Sequence, residues 1–495
     1  MDNLDFRLIN VNGLITGKTV MHSSNSSGNF RTCPGSAAAF GKTTRRSFLH
    51  SATAGALGGG LLASGLVGCG GSGARPGGQT VFENQGRVQS PFVSEGGPLT
   101  LPGPFPGRVV EVGHAGSVQL GKRDPHAIRS MVDFGMQQLI PEAESPEDAW
   151  RFFFQPGDRV GIKVVPVGMG VKPGLSHSDR GKLVDTERPG SISSYELVHE
   201  VVRGLESAGI KRSDILVFDR YLVQFIQAGY RAMLPEGVHW ECCSVFAEAK
   251  QLEIDGQLRG QPREKNIAGY DRDVFRELPF CLPPPSHDPH DDRRFRSHLT
   301  KILTQKVDKV ISLPVLKDHR SAGITMALKN MSHGLVNNVA RTHISIPENV
   351  ERGSTMNHCQ TFIPAAVSLP PIREKCVLQI LDGLVGTYEG GPGNWCKTFS
   401  TWEYKSLFFA TDPVALDHVG WEIVDAERAR RGWPSVSRMG LDSESGVNPE
   451  IVDSQGQPVG ESFHIRHPQH VPLAALLNLG TFDKRAITHE TFRLA

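Results

Sequence analysis

Apolar and polar positions alternate in blocks along the body of this chain. Short runs rich in Val, Ile, Leu and Phe occupy 159–165, 214–219, 307–313, 376–381 and 406–410. Their length and near-continuous apolar character predict strands buried on both faces. Amphipathic stretches between them predict helices over 124–140, 145–154, 194–208, 220–233, 323–335 and 412–431. Ser145 and Ser193 open capping-box patterns closed by Asp148 and Glu196, and Asp124-Pro125 and Asp412-Pro413 pair a cap with proline at the first helical position. Gly209, just past Ala208, reads as a C-terminal stop. Strands alternating with helices predict an α/β fold: a mainly parallel sheet with helices on both faces, in a single large domain over 108–495. The segment 255–297 breaks the rhythm with charges, three consecutive prolines and several histidines, and reads as a Pro/His-rich insertion.

Ligands of open α/β sheets sit outside the carboxyl ends of the strands. Charged residues fall at those ends here: Lys163 in the first run, Asp219 closing the second, Lys317 and His319 after the third, then Asp382 and Asp412. If the strands are neighbours, these groups gather in one pocket of mixed charge. A lone strand-end charge is ordinarily a cap, and Asp-Pro before a helix makes Asp412 the clearest such case. Lys163 sits inside a β-branched run, so its ammonium requires a partner: Asp219, Asp382 or an anionic ligand.

The segment 314–334 is the densest in chemistry. Ile324, Ala327, Leu328, Met331 and Leu335 form one buried helical stripe. Thr325, Lys329 and His333 form a second, with Asn330 beside it and no acid among them. That face suits an anion, with charge from Lys329 and hydrogen bonds from its neighbours. A helix start near Ala322 or Gly323 would add its dipole. Gly390-Gly391-Pro392-Gly393 suits a backbone cradle for phosphate. His343 and His358 fit metal ligation, acid–base work or plain solvation, and the run from His287 to Asp292 reads as a solvated loop despite its metal-like composition.

Composition narrows the options. The 495 residues carry 53 Lys plus Arg against 52 Asp plus Glu, without the strongly basic domain of a nucleic-acid binder. No uncharged apolar stretch of about 20 residues follows residue 70, which excludes a polytopic membrane protein. The front differs from the body. Arg45-Arg46 precede a mildly apolar, Gly-rich run ending at Cys69, which resembles a twin-arginine export signal over 1–69. The 40 residues ahead of it form a long lead. Leu66-Val67-Gly68-Cys69 resembles a lipobox, so Cys69 is a candidate lipid anchor tethering the chain to a membrane. Residues 70–107 read as a flexible linker. The expected partners are thus the twin-arginine translocase during export and a small anionic ligand afterwards, with a periplasmic or lipid-anchored location. The cysteines after Cys69, Cys242, Cys243, Cys281, Cys359, Cys376 and Cys396, show no CxxC spacing, and no iron–sulfur motif is present. Cys376 reads as a small core residue, and Cys242 and Cys243 as pointing to opposite faces of a strand.

Taken together, Ile162-Lys163, Ser193 with Glu196 and Leu197, Asp219, the run Leu313 to His319, Thr325 to Asn330, His343, Asp382-Gly383, Gly390 to Pro392 and Asp412 to Asp417 resemble the domain-of-unknown-function 362 family across 108–430. The resemblance implies fold and site positions but no reaction. Many members carry a ferredoxin-like cysteine module, which the cysteine spacing here does not reproduce. The expectation is an exported enzyme in which Lys163, Lys317 and Lys329, with Thr325, Asn330, Gly390 and Gly391, hold an anionic small molecule or phosphorylated cofactor. His319 and His343 would be the catalytic candidates, and Asp219 and Asp382 would orient the cations or hold a divalent metal. The alternative is a non-catalytic tethered binding protein or a metal or cofactor chaperone.

Overall fold

The computed structural model describes residues 97–170, 185–245, 252–258, 260–279, 281, 288–343, 358–394, 399–436 and 467–495. The twin-arginine segment, Cys69, His287 and Cys396 lie outside the described residues.

In chain order, β1 (Arg108–His114) is followed by a small hairpin of β2 (Val118–Gln119) and β3 (Lys122–Arg123), α1 (Pro125–Leu139), α2 (Pro146–Phe153) and β4 (Val160–Lys163). Then come α3 (Tyr195–Ser207), β5 (Ile215–Tyr221), α4 (Leu222–Gln227), α5 (Tyr230–Met233) and β6 (His239–Ser244). A hairpin of β7 (Tyr270–Glu277) and β8 (Arg296–Thr300) leads to β9 (Lys309–Ser312), β10 (Val315–His319), β11 (Gly323–Ile324) and α6 (Ala327–Ser332). The chain continues through α7 (Cys359–Val367), α8 (Pro370–Lys375), β12 (Cys376–Glu389), β13 (Ser400–Ala410), α9 (Pro413–Arg430), α10 (His470–Leu476) and β14 (Thr488–Leu494).

The main sheet runs β14-β1-β13-β12-β9-β4-β5-β6, with β10 branching from β12 and β11 pairing β10. From β12 through β9, β4 and β5 to β6 every pairing is parallel, whereas β13 is antiparallel to both β12 and β1. Two apolar clusters cover the two faces. One joins Ile128, Met131, Trp150, Val198 and Phe225 to Val110, Ile162 and Val217. The other joins Leu328, Phe362, Val414 and Ala474 to Val109, Phe218 and Leu381. Helices therefore flank both faces of a mainly parallel sheet, the α/β architecture read from the sequence. Cys242 and Cys243 fall in opposite clusters as strand alternation demands, and Cys376 is a buried core thiol.

The caps explain most helix starts. Asp124 accepts from the N–H groups of His126 and Ala127, and Ser145 from that of Asp148. Ser193 behaves differently from the expected cap. It donates to the Leu313 carbonyl at 2.6 Å and accepts from Val165 N–H at 2.8 Å, stitching loops together, while Ser194 stands at the N-cap of α3. The linker also ends earlier than residue 107: Leu101 is fully buried and its N–H donates to the Arg373 carbonyl at 2.9 Å. Within the expected insertion, residues 266–269 hydrogen-bond alongside Cys242 and Cys243, and β7 and β8 form a separate two-stranded sheet.

Candidate functional site

Lys163 closes β4, and its neighbour β5 carries Asp219 one residue beyond the Phe218 partner of Lys163. Both side chains are buried. The Lys163 ammonium donates to Asp219 Oδ1 at 2.6 Å, Asn330 Oδ1 at 2.9 Å and the Val164 carbonyl at 2.8 Å. Three donors thus meet three acceptors, which offsets the cost of burying the cation. Asn330 passes the network on through its amide to Ser312 Oγ at the end of β9, at 2.9 Å. Gly334 makes room: a Cβ there would stand 2.7 Å from Lys163 Cε.

Lys317 is fully buried on β10 and donates to the carbonyls of Val167 and, at 2.8 Å, Ser191. Burial pulls its ammonium down to about 7, against the opposing fields of Asp318 and Asp382. Gly168, at φ 107°, permits the approach, since a Cβ would lie 2.6 Å from Lys317 Nζ. Two residues on, His319 Nδ1 accepts from the N–H groups of Ser321 (2.9 Å) and Ala322 (3.2 Å). A ring nitrogen that accepts carries no proton, so the neutral ring bears its proton on Nε2.

The second cationic element differs from the helix expected over 323–335. Gly323, at φ 80°, turns the chain into β11, which pairs back on β10 through Asp318 with Ile324 and His319 with Gly323. The helix, α6, therefore starts only at Ala327, and the carboxyl oxygens of Asp417 accept from its first N–H groups, Ala327 at 2.7 Å and Leu328 at 3.1 Å. The helix start expected near Ala322 or Gly323 falls instead at Ala327, where the Asp417 side chain occupies its first N–H groups. Lys329 still points into the site. Its Nζ lies 3.3 Å from His343 Nε2, no ion pair reaches it among the described residues, and burial draws it down to about 8. Burial and the charge of Lys329 also hold the His333 and His343 imidazoles well below their usual value, so both remain neutral. The His343 ring lies 5.6 Å from that of His319 and 5.0 Å from that of His333.

These groups enclose a cavity of about 370 Å³ at the carboxyl ends of the parallel strands. Lys163, Asp219, Lys317, His319, Thr325, Lys329, Asn330 and His343 all line it, so eight sequence-derived candidates converge. Arg220, Arg320 and His333 join them. Arg220 directly follows the strand-end Asp219, and His333 completes the polar stripe with Lys329; position alone marked both.

Other candidates fall elsewhere. Asp382 does not line the cavity, because β12 runs past it to Glu389; its oxygens accept from Ser194 N–H and Oγ and from Leu384 N–H at 2.6–3.0 Å. Asp219 lies in the site, where Lys163 and Tyr221 N–H engage it, so it stands beside a cation as the first of its two expected roles requires. Gly390 and Gly391 form no phosphate cradle: Gly391 N–H donates to Asp318 Oδ1 at 2.8 Å and its carbonyl accepts from Arg320 N–H, so only Pro392 reaches the cavity. Asp412 caps α9 and also accepts from Gly107 and Thr481 N–H groups. Because β13 is antiparallel, its carboxyl end points away from the site. Asp288 and Asp291 accept from backbone N–H groups two residues ahead and His290 is exposed, as befits a solvated turn.

The fold and site define an α/β protein with a cation-lined cavity at its strand ends. The sequence model of one family, "Domain of unknown function (DUF362)", matches residues 287–422, which supports the resemblance over that segment. No curated protein matches. A crystal structure of a structural-genomics protein from Thermotoga maritima is similar to this chain at 10% identity with a TM-score of 0.33, covering 76% of this chain and 89% of that one.

Proposed function

We propose that the protein is an exported enzyme whose cavity binds a small anionic molecule bearing carboxylate or phosphate groups. One observation carries the reading. Among the described residues, the buried cations Lys317 and Lys329 line the cavity with neither in a salt bridge, beside the Asp219 carboxylate, which Lys163 already engages. Buried cations without a carboxylate are costly, and an anion entering such a site relieves that cost while forming charge-assisted hydrogen bonds. Lys317 and Lys329 bind the anion, and Thr325 donates a hydroxyl. His319, with its proton on Nε2, is the acid–base group; imidazole is suited to proton transfer near neutral pH.

Isothermal titration with inorganic phosphate, pyrophosphate and citrate tests the binding step. The reading expects saturable binding of at least one of them with one site per chain, weakened by at least about tenfold in Lys317→Met, the loss of one charge-assisted contact. Absence of binding by all three, or unchanged affinity in the variant, counts against it. The export half rests on Arg45-Arg46 and the run to Cys69. Replacing both arginines by lysine is expected to retain the chain in the cytoplasm, and Cys69→Ser to release it from membranes.

A further inference from the structure

We propose that His333, His343 and Cys359 form a binding site for one thiophilic first-row divalent cation, for which Zn(II) is the probe. The three side chains come from three elements: His333 caps the C-terminal end of α6, His343 follows the 3-10 turn Ala340–Thr342, and Cys359 is the first residue of α7. Their ligating atoms lie within 4.8 Å of one another. His333 Nε2 is 3.9 Å from Cys359 Sγ. Two ligands of a tetrahedral zinc with Zn–N and Zn–S bonds of about 2.0 and 2.3 Å stand about 3.5 Å apart, so only a small side-chain adjustment brings the set to bonding distance.

The surroundings favour ligation. His343 Nδ1 sits 3.2 Å from the Val339 carbonyl, and His333 Nδ1 sits 3.1 Å from Ser332 Oγ. Such outer contacts typify metal-bound histidines. An Nδ1 proton on His333 held by Ser332 Oγ leaves its Nε2, 3.9 Å from Cys359 Sγ, as the ligand atom, while His343 Nε2 now meets the Lys329 ammonium at 3.3 Å, a contact that ligation through that nitrogen would replace. Thr342 Oγ1 meets His333 Nε2 at 2.9 Å and donates to the Val339 carbonyl at 2.7 Å, so a cation replaces only the first of these contacts. The Cys359 thiol now donates to the Thr342 carbonyl at 3.3 Å; on binding, its proton passes to solvent and the sulfur becomes the thiolate ligand. Two nitrogens and one sulfur suit zinc and its neighbours rather than magnesium or calcium. His333 and His343 both line the cavity, so the cation would keep one position open to it, as catalytic zinc sites with three protein ligands do. None of the three ligands is itself proposed to hold the anion, and although His343 touches Lys329, which is, the zinc assay needs no anion and so tests this site separately.

The test uses the full chain, stripped with a chelator, reloaded with Zn(II) alone, desalted and assayed by mass spectrometry for metal. One zinc per chain is expected. Cys359→Ser and His333→Gln should each weaken binding by at least about 100-fold, because even outer partners of a ligand are worth about 10–100-fold. Loading the unaltered protein with Co(II) should produce a near-ultraviolet thiolate-to-cobalt band, a readout that requires no variant to fold. Substoichiometric zinc in the unaltered chain, cobalt binding without the thiolate band, or folded variants that retain zinc as well as the parent would each overturn the proposal.

Discussion

The Lys163 ammonium and the Asp219 carboxylate meet at 2.6 Å across the ends of adjacent parallel strands, both buried, with Asn330 completing the lysine's hydrogen bonds. The pair anchors β4, β5 and α6 to one point beneath the cavity. Removing one partner strands the other charge in the interior. Lys163→Met and Asp219→Leu are each expected to lose about 3–5 kcal/mol of stability in urea denaturation, with the double variant recovering most of it. Single variants as stable as the parent would show that the pair is solvated.

Anion affinity should depend on pH through Lys317. Its ammonium, held at about 7 by burial, is faced by the carboxylates of Asp318 and Asp382, with His319 and Arg320 following on the same chain segment. A bound anion favours the protonated form, so binding takes up a proton above pH 7. Affinity for phosphate or citrate is expected to fall by up to about tenfold per pH unit above that value, and the slope should diminish in Lys317→Met. Titrations in buffers of different ionisation enthalpy measure the proton uptake directly.

Much of this site was legible because its residues sit where strands stop. The helix at Pro125–Leu139 lies within one residue of the expected 124–140, and the ends marked by Lys163, Asp219, Lys317 and His319 do converge. Strand direction was not legible. An apolar run does not reveal that β13 is antiparallel or that β12 continues past Asp382, so two of the expected ends point elsewhere. The helical stripe at 323–335 also concealed a turn, because one glycine at positive φ converts its first residues into β11. Strands such as Tyr270–Glu277 and Thr488–Leu494 are rich in charge and lack the apolar signal altogether.

Asp417 makes a separate prediction. Burial lifts its carboxyl to about 8 although it accepts from two N–H groups of α6. In the unfolded chain it ionises near its ordinary value of 3.8. Between these values the folded state holds a proton that the unfolded state has lost, so this group lowers stability as pH rises from about 4 to about 8. Asp417→Asn removes the titration. Its stability relative to the parent should therefore increase with pH across that window, as read from denaturation midpoints; parallel pH profiles would refute the assignment.

Arg341 ties the β7–β8 region to the turn that carries His343. Fully buried, it donates to the carbonyls of Leu278, Cys281 and Asn338 and to Ser297 Oγ at 3.0–3.2 Å. Arg341→Leu removes all four of these hydrogen bonds, each worth about 0.5–1.5 kcal/mol. A loss of at least about 3 kcal/mol is expected, with faster hydrogen exchange at residues 340–343. Exchange unchanged there would show that the turn is held by other contacts.

The central claim is that an anion occupies the cavity between Lys317 and Lys329. Native mass spectrometry of the chain purified from its own host tests it most directly. The account predicts a bound small acidic molecule that is retained by the unaltered protein and absent from Lys317→Met and Lys329→Met variants of unchanged fold. An unliganded chain that also fails to take up phosphate, pyrophosphate or citrate, or a ligand retained equally by both variants, would contradict it.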